Sequence, residues 1–339
     1  LHLSNTLSIP KTHYYTMVKS ANTKNGTNKQ TLQEKIVGRT THIVHLTHND
    51  LDAAGSDAVC RMTFGDEILT LFSSVGRFGW FLAQVGGCNG KGDTLIISDL
   101  GYQNGVEDQI RKAHAAGWII QWYDHHKWTE AEKHKVIPFV QTLIVDTTKC
   151  ATGVVASVFA KDNQSAREVA GVVCDYDLWK HQDPRSAKLG IVTSKQENLR
   201  LIRDKLAKGI IIDEEVSRIF EKIEHDKNKC MKKSIRAAKI YRGKYTIAVM
   251  PAYGYPSETS AEARRQLKTD IELLVFDNGK FSLRSVPEIS HLIARQFGGG
   301  GHPNASGGSF NYTWKEKWML KLFRRVTGAK PFIAAAENL

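Results

Sequence analysis

The chain has 339 residues, 41% hydrophobic and 24% charged, with 47 Lys and Arg against 35 Asp and Glu, a net charge of +12. This is the composition of a globular protein with room for two domains, and no apolar run nears the length needed to cross a bilayer, which excludes a membrane span. The positive balance favours an anionic partner. Five scattered cysteines, Cys60, Cys88, Cys150, Cys174 and Cys230, without a Cys-x-x-Cys pair, favour free thiols in a reducing cytoplasm over a disulfide framework or a zinc ribbon.

Residues 1–38 read as a disordered tail, because SANTKNGTNKQ at 20–30 is polar, basic and without aromatics; Met17 is a candidate initiator within it. From residue 39 to 195 short apolar runs alternate with helical segments, the pattern of an α/β domain with a mostly parallel sheet. The expected strands are HIVHLT (42–47), TLIISDL (94–100), GWIIQWYD (117–124) and QTLIVD (141–146). Each ends in an acid or a polar cluster, and in such sheets ligands bind beyond the carboxyl ends of the strands. Residues 196–242 are charged with apolar residues at helical spacing and read as a helical linker. A smaller α/β domain follows over 243–327, with strands YTIAVM, IELLVF and FSLRSV and helices from Ser257 and over 288–297; residues 328–339 read as a C-terminal tail.

The acids at the strand ends carry the chemistry. In THNDLDAAGSDAV (47–59), His48, Asp50 and Asp52 alternate and can project to one side of an extended chain, while Gly55 and Ser56 open a helix whose free N–H groups suit an anion. A helix cap with an Asx turn explains the same residues as well. Asp99 ends the second strand, Asp124-His125-His126 the third, and Asp175 follows the helical AREVAGVVC with Asp177 two residues on. Each alone is more often a cap or a turn, but four together at the strand ends of one domain form a pattern. Carboxylates with one or two imidazoles suit Mn²⁺ or Mg²⁺, and two such ions sharing a carboxylate suit phosphoryl displacement. Downstream, Arg284 and Ser285 in SLRS precede FGGGGHPNASGG (297–308), whose glycines bare backbone N–H groups beside His302. Trp122, Trp128 and Trp179, which flank the third and fourth motifs, read as packing, and Arg264 and Arg265 as a solvated helix face.

This ordered set, THNDLDAAGS, SDLG, YDHH, CDYDLW and GGGGH, resembles the DHH phosphoesterase superfamily with its C-terminal DHH-associated domain, over about residues 42–310, in the form typical of the nanoRNase B branch. The resemblance implies that Asp50, Asp52, Asp99, His125 and Asp175 hold two metal ions, Mn²⁺ foremost and Mg²⁺ as the substitute, with Asp99 bridging. It implies that Asp124 supports the site, that His126 meets a phosphate, and that Arg284, Ser285, Gly299, Gly300, Gly301 and His302 grip the substrate. Leu46 stands where pyrophosphatase-type relatives carry a ligand histidine, and His48 is the substitute at hand. The expected activity is metal-dependent hydrolysis of short RNA to nucleoside monophosphates, 3′ to 5′, by a cytoplasmic protein with the homodimeric assembly common in related folds. Alternatives are a 3′-phosphoadenosine 5′-phosphate (pAp) phosphatase, a cyclic-dinucleotide or pApA phosphodiesterase, and a nonenzymatic nucleotide or nucleic-acid binder.

Overall fold

A computed structural model describes residues 30–310 and 313–339. The expected disorder of residues 1–29 lies outside the described residues. The first half of the chain runs α1 (Leu32–Val37), β1 (Ile43–Thr47), α2 (Leu51–Phe64), β2 (Leu69–Phe72), α3 (Phe78–Gly86), β3 (Thr94–Ser98), α4 (Val106–Ala115), β4 (Ile119–Asp124), α5 (Glu130–Val136), β5 (Thr142–Val145), α6 (Ala151–Phe159), α7 (Gln164–Asp177) and α8 (Pro184–Thr193). Then come α9 (Leu199–Ala207), α10 (Glu214–Arg236), β6 (Lys239–Arg242), β7 (Thr246–Pro251), α11 (Pro256–Leu267), β8 (Ile271–Val275), β9 (Lys280–Ser285), α12 (Ser290–Arg295), β10 (Gly300–His302), β11 (Ala305–Ser309), α13 (Trp314–Phe323) and α14 (Lys330–Glu337).

The first sheet is parallel throughout, in the order β2-β1-β3-β4-β5, so the chain steps to one side of β1 and then returns to the other. That reversal leaves a crevice at the carboxyl ends of β1 and β3, where a doubly wound sheet binds its ligand. The inner strands β1, β3 and β4 are largely buried on both faces, which explains their continuous apolar runs. One face packs with Leu82, Val85 and Ile110 of α3 and α4; the other packs with α2, α6, α7 and α9. The second sheet is mixed, in the order β10-β11-β9-β8-β7-β6, with β7 and β8 its parallel pair.

Several expectations are corrected here. Residues 31–38 are not part of a disordered tail: Thr31 and Glu34 form a reciprocal capping box for α1, and Ile36 is fully buried in the first core. The segment expected as a C-terminal tail forms α14, whose Phe332 is buried among Phe281, Phe297 and Phe310. The start of the linker belongs to the first core as well, since Ile202 and Leu206 of α9 are buried there; α10 then carries the chain to the second sheet. The cysteines are not all free thiols, because Cys150 and Cys174 form a disulfide that joins the start of α6 to α7.

Candidate metal centre and substrate face

Asp50 caps α2, with one carboxylate oxygen accepting from the Ala53 N–H at 3.1 Å while the other meets His48 Nδ1 at 2.7 Å. The cap and the site residue are therefore one and the same. Helix α2 begins at Leu51, so Asp52 lies in its first turn rather than on an extended chain. Its carboxylate, 1% exposed, accepts from the Ala151 and Thr152 N–H groups and the Thr152 hydroxyl, at the N-terminus of α6. Gly55 is where α2 touches α6: a Cβ there would stand 2.5 Å from Thr152 Oγ1. Its smallness serves that close approach.

Asp99 follows β3 with a φ of 54°, in the left-handed region that Asp tolerates better than most residues, and this turn brings its carboxylate back over the crevice. Its Oδ1 lies 3.3 Å from His125 Nε2, and its Oδ2 lies 3.7 Å from His48 Nδ1. His125 also approaches Asp52 at 3.7 Å and, through Nδ1, Asp177 at 3.6 Å. Three overlapping groups of ligand atoms thus lie within coordinating reach: His48, Asp50 and Asp99; Asp52, His125 and Asp177; and Asp99, His125 and His126. His48, two residues before Asp50, supplies the imidazole on this side; Leu46 is fully buried in the core.

Asp175 is placed elsewhere. Its carboxylate accepts from the Gln182 and Asp183 N–H groups and the Ser186 hydroxyl, tying the end of α7 to the start of α8. Asp177, two residues on, turns toward His125 instead. The expected ligand position is corrected accordingly: of the two acids of CDYDLW, Asp177 joins the cluster, and the hydrogen bonds of Asp175 explain why it does not.

The electrostatics of the cluster call for cations. Burial, followed by the charges of Asp52 and Asp50, pushes the Asp99 carboxyl well above its usual range. Asp52 is pushed up to about 7 by burial and then by the charge of Asp177, and Asp177 is itself raised by burial. His48 is held protonated up to about 10 by its hydrogen bond to Asp50 and then by the nearby Asp99 carboxylate. Asp99 Oδ2 and Asp177 Oδ2 are buried without a hydrogen-bond partner among the described residues. Buried carboxylates in this state are costly unless a cation meets them, and an oxygen-rich set with two imidazoles suits hard divalent ions. The residues therefore fit a metal centre.

Around this centre, Asp124 is fully buried and accepts from His126 Nδ1 at 2.9 Å and Trp128 Nε1 at 2.7 Å. It orients His126, whose pKa its hydrogen bond raises, at the rim of a cavity of about 340 Å³ that also exposes His48, Asp99 and Asp177. The expectation that all three tryptophans are packing holds for Trp122 and Trp128, which meet edge-on at 4.7 Å. It is corrected for Trp179, which is 78% exposed just beyond Asp177, with a φ of 54°.

In the second domain Arg284 and His302 share a face of the sheet, since both stand opposite Ala305 in register. The Arg284 guanidinium bonds Ser257 Oγ at the start of α11 at 2.8 Å. Ser285 is buried and donates to the Pro287 carbonyl, so its hydroxyl is turned inward. Gly299 and Gly301 are explained by the hairpin: a Cβ would stand 2.1 Å from the Gly307 carbonyl oxygen and 2.6 Å from that of Ala305, whereas Gly300 faces open space. Arg264 pairs with buried Glu272, and Arg265 with Glu262 on its own helix, both structural partners. Beside the first motif, Gln196 donates to the Asn49 carbonyl at 2.6 Å within the first domain, and the adjacent Lys195 reaches the second domain, lying over the Tyr255 ring at 5.3 Å.

The sequence alone does not single out a buried network beneath β1. Asp57 accepts from His45, Arg61, Thr70 and Arg203, and although burial opposes it, His45 and the two arginines hold its carboxyl far below the usual range.

No family model matches the chain. Oligoribonuclease NrnB of Bacillus subtilis (strain 168) is 23% identical over 305 residues, spanning 82% of this chain and 75% of that protein. The pGpG-specific phosphodiesterase PggH from Vibrio cholerae superposes with a TM-score of 0.49 at 14% identity, over 86% of this chain and 99% of that one. RecJ from Thermus thermophilus in complex with Mn²⁺ gives 0.42 at 15% identity, over 90% of this chain and 53% of that one.

Proposed function

We infer, from the ordered motifs and the match to oligoribonuclease NrnB, that this chain is a DHH-superfamily phosphoesterase of the nanoRNase B-like kind, and we propose that it hydrolyses short RNA to nucleoside monophosphates from the 3′ end. The observation that carries the reading is the ring of His48, Asp50, Asp52, Asp99, His125 and Asp177, with two buried carboxylate oxygens that lack a partner. In this reading His48 and Asp50 hold one divalent ion, Asp52, His125 and Asp177 hold a second, and Asp99 reaches both. The ion type is Mn²⁺, with Mg²⁺ able to substitute. Bound there, such ions supply Lewis acidity and lower the pKa of water, which is the chemistry of a phosphoryl displacement.

The remaining residues bind and orient. His126, fixed by Asp124 and more readily protonated for it, donates to a phosphate oxygen at the cavity rim. Trp179, exposed beside Asp177, offers a base a stacking surface. Arg284 and His302 hold the distal phosphate over the open face at Gly300, while Ser285 supports that strand from within. We place this activity in the cytoplasm, where RNA fragments are made.

The test is a substrate panel with metal-stripped protein and added Mn²⁺: RNA di- to heptanucleotides, pGpG, pAp, a cyclic dinucleotide and pyrophosphate. Turnover of the RNA series to mononucleotides supports the proposal. Turnover confined to pAp, to the cyclic dinucleotide or to pyrophosphate refutes it.

A further inference from the structure

Helix α10 carries a charge pattern that the metal centre leaves unused. His225, Lys229, Lys232, Lys233 and Arg236 follow one another at spacings of four, three, one and three residues, which lines them along one face of the helix. They run about 16 Å along its axis. This face forms one wall of a cavity of about 870 Å³, and Phe323, Arg324 and Arg325, at the end of α13 and just beyond it, form another. Among the described residues no acidic side chain lines it.

Two features set this groove apart from an ordinary solvated face. Lys227 on α10 pairs with Glu224, whereas among the described residues none of the groove's lysines and arginines has an ion-pair partner, so the charge here is unpaired and contiguous. Lys229 with Lys233, and Lys232 with Arg236, are like charges four residues apart, a spacing that weakens a helix. The second feature is aromatic. Phe323 is 65% exposed among these cations, and Lys233 lies 3.7 Å from the centre of the Tyr253 ring. Unpaired cations in a row together with an exposed ring are what a single nucleic-acid strand needs, phosphates on the one and a base on the other. A single small anion would not use the length of the row.

We propose that the groove between α10 and the end of α13 is a docking site for single-stranded RNA, with the backbone along the cations and a base stacked on Phe323. No residue of its wall belongs to the cavity over the metal centre. The proposal rests on the reading of the chain as an RNA hydrolase only for the choice of ligand. The site would retain strands longer than the fragments the centre cleaves.

Fluorescence anisotropy of a labelled RNA of about 16 nucleotides, with chelator present to prevent turnover, tests it across a salt series. Replacing Lys229, Lys232 and Arg236 together by Gln is expected to weaken binding about tenfold or more and to make the slope of log affinity against log salt shallower by about 2, at roughly 0.7 per lost contact. Phe323→Ala is expected to weaken RNA binding by about 5- to 150-fold, and to leave binding of inorganic polyphosphate unchanged. Wild-type affinity and slope in the triple variant, or a Phe323→Ala variant that keeps RNA binding or loses RNA and polyphosphate alike, would overturn the proposal. Mn²⁺-dependent hydrolysis of a dinucleotide, assayed in parallel, is expected to be equal in all three proteins. If the wild type fails that assay yet shows the binding differences, the hydrolase reading falls and the docking site stands.

Discussion

Removing metal should make the folded protein progressively less stable as the pH rises, and the size of the effect follows from one side chain. Asp52 has an ordinary pKa of 3.8 and about 7 in the folded, metal-free protein, because it is buried and then because Asp177 lies near. Between those values the folded state keeps a proton that the unfolded state has lost, so stability falls as pH rises from about 4 to about 7. Three units correspond to about 4 kcal/mol. Asp99 shifts in the same direction and adds to the fall. Asp50 and Asp57 have lowered values, so the stability they contribute is already in place above about pH 4 and adds no slope. The contribution of His48, raised to about 10, is full below its ordinary 6.5 and is lost as pH climbs through 10, which steepens the fall on the alkaline side. Urea denaturation across this range, with chelator or with Mn²⁺, measures it. With chelator, stability should drop by about 4 kcal/mol; with Mn²⁺, ions take the place of the protons and the profile should be flat or rising. A chelated protein as stable at neutral pH as at pH 5, or one indifferent to Mn²⁺, would refute the reasoning.

Two aspartates two residues apart should behave in opposite ways. Asp177→Ala is expected to lose metal affinity, read by calorimetric Mn²⁺ titration, without loss of chelated stability, because it removes a repelling carboxylate. Asp175→Ala should keep the metal and lose about 1–3 kcal/mol, because three donors around α8 lose their acceptor. In the buried network, Asp57→Ala strands His45, Arg61 and Arg203 and should cost about 3–5 kcal/mol in urea denaturation, with little change in activity per folded molecule. Reducing the Cys150–Cys174 disulfide, or replacing both cysteines by Ser, should destabilise by about 3 kcal/mol, the entropy of freeing a loop of this length; an unchanged melting temperature in reductant would contradict the bond.

The parallel sheet and most of its site are legible in the sequence because the same residues mark both. Strands buried on two faces read as apolar runs, and Asp50, Asp99 and Asp124 stand shortly after or at the end of such runs. What escapes depends on packing direction. In CDYDLW either acid satisfies the pattern, and only the hydrogen bonds that the start of α8 offers Asp175 leave Asp177 facing His125. Short strands give little signal: β2 is LTLF, and β10 and β11 are built from GGH and ASGGS, where glycine argues against a strand. The disulfide is invisible because a spacing of 24 residues does not reveal that two Cα atoms approach to 5.0 Å. Helix α14 reads as a tail because its one large anchor, Phe332, is buried by aromatics far away in sequence.

The central question is whether this cluster of acids and imidazoles cleaves RNA with metal. The decisive measurement is a time course of a 5′-labelled short RNA with metal-stripped protein, with and without Mn²⁺, for the wild type and for folded Asp99→Ala. A Mn²⁺-dependent ladder that shortens from the 3′ end to mononucleotide is expected in the wild type, and none in the variant. A ladder of equal rate in Asp99→Ala, or an intact RNA in the Mn²⁺-loaded wild type, would contradict that expectation.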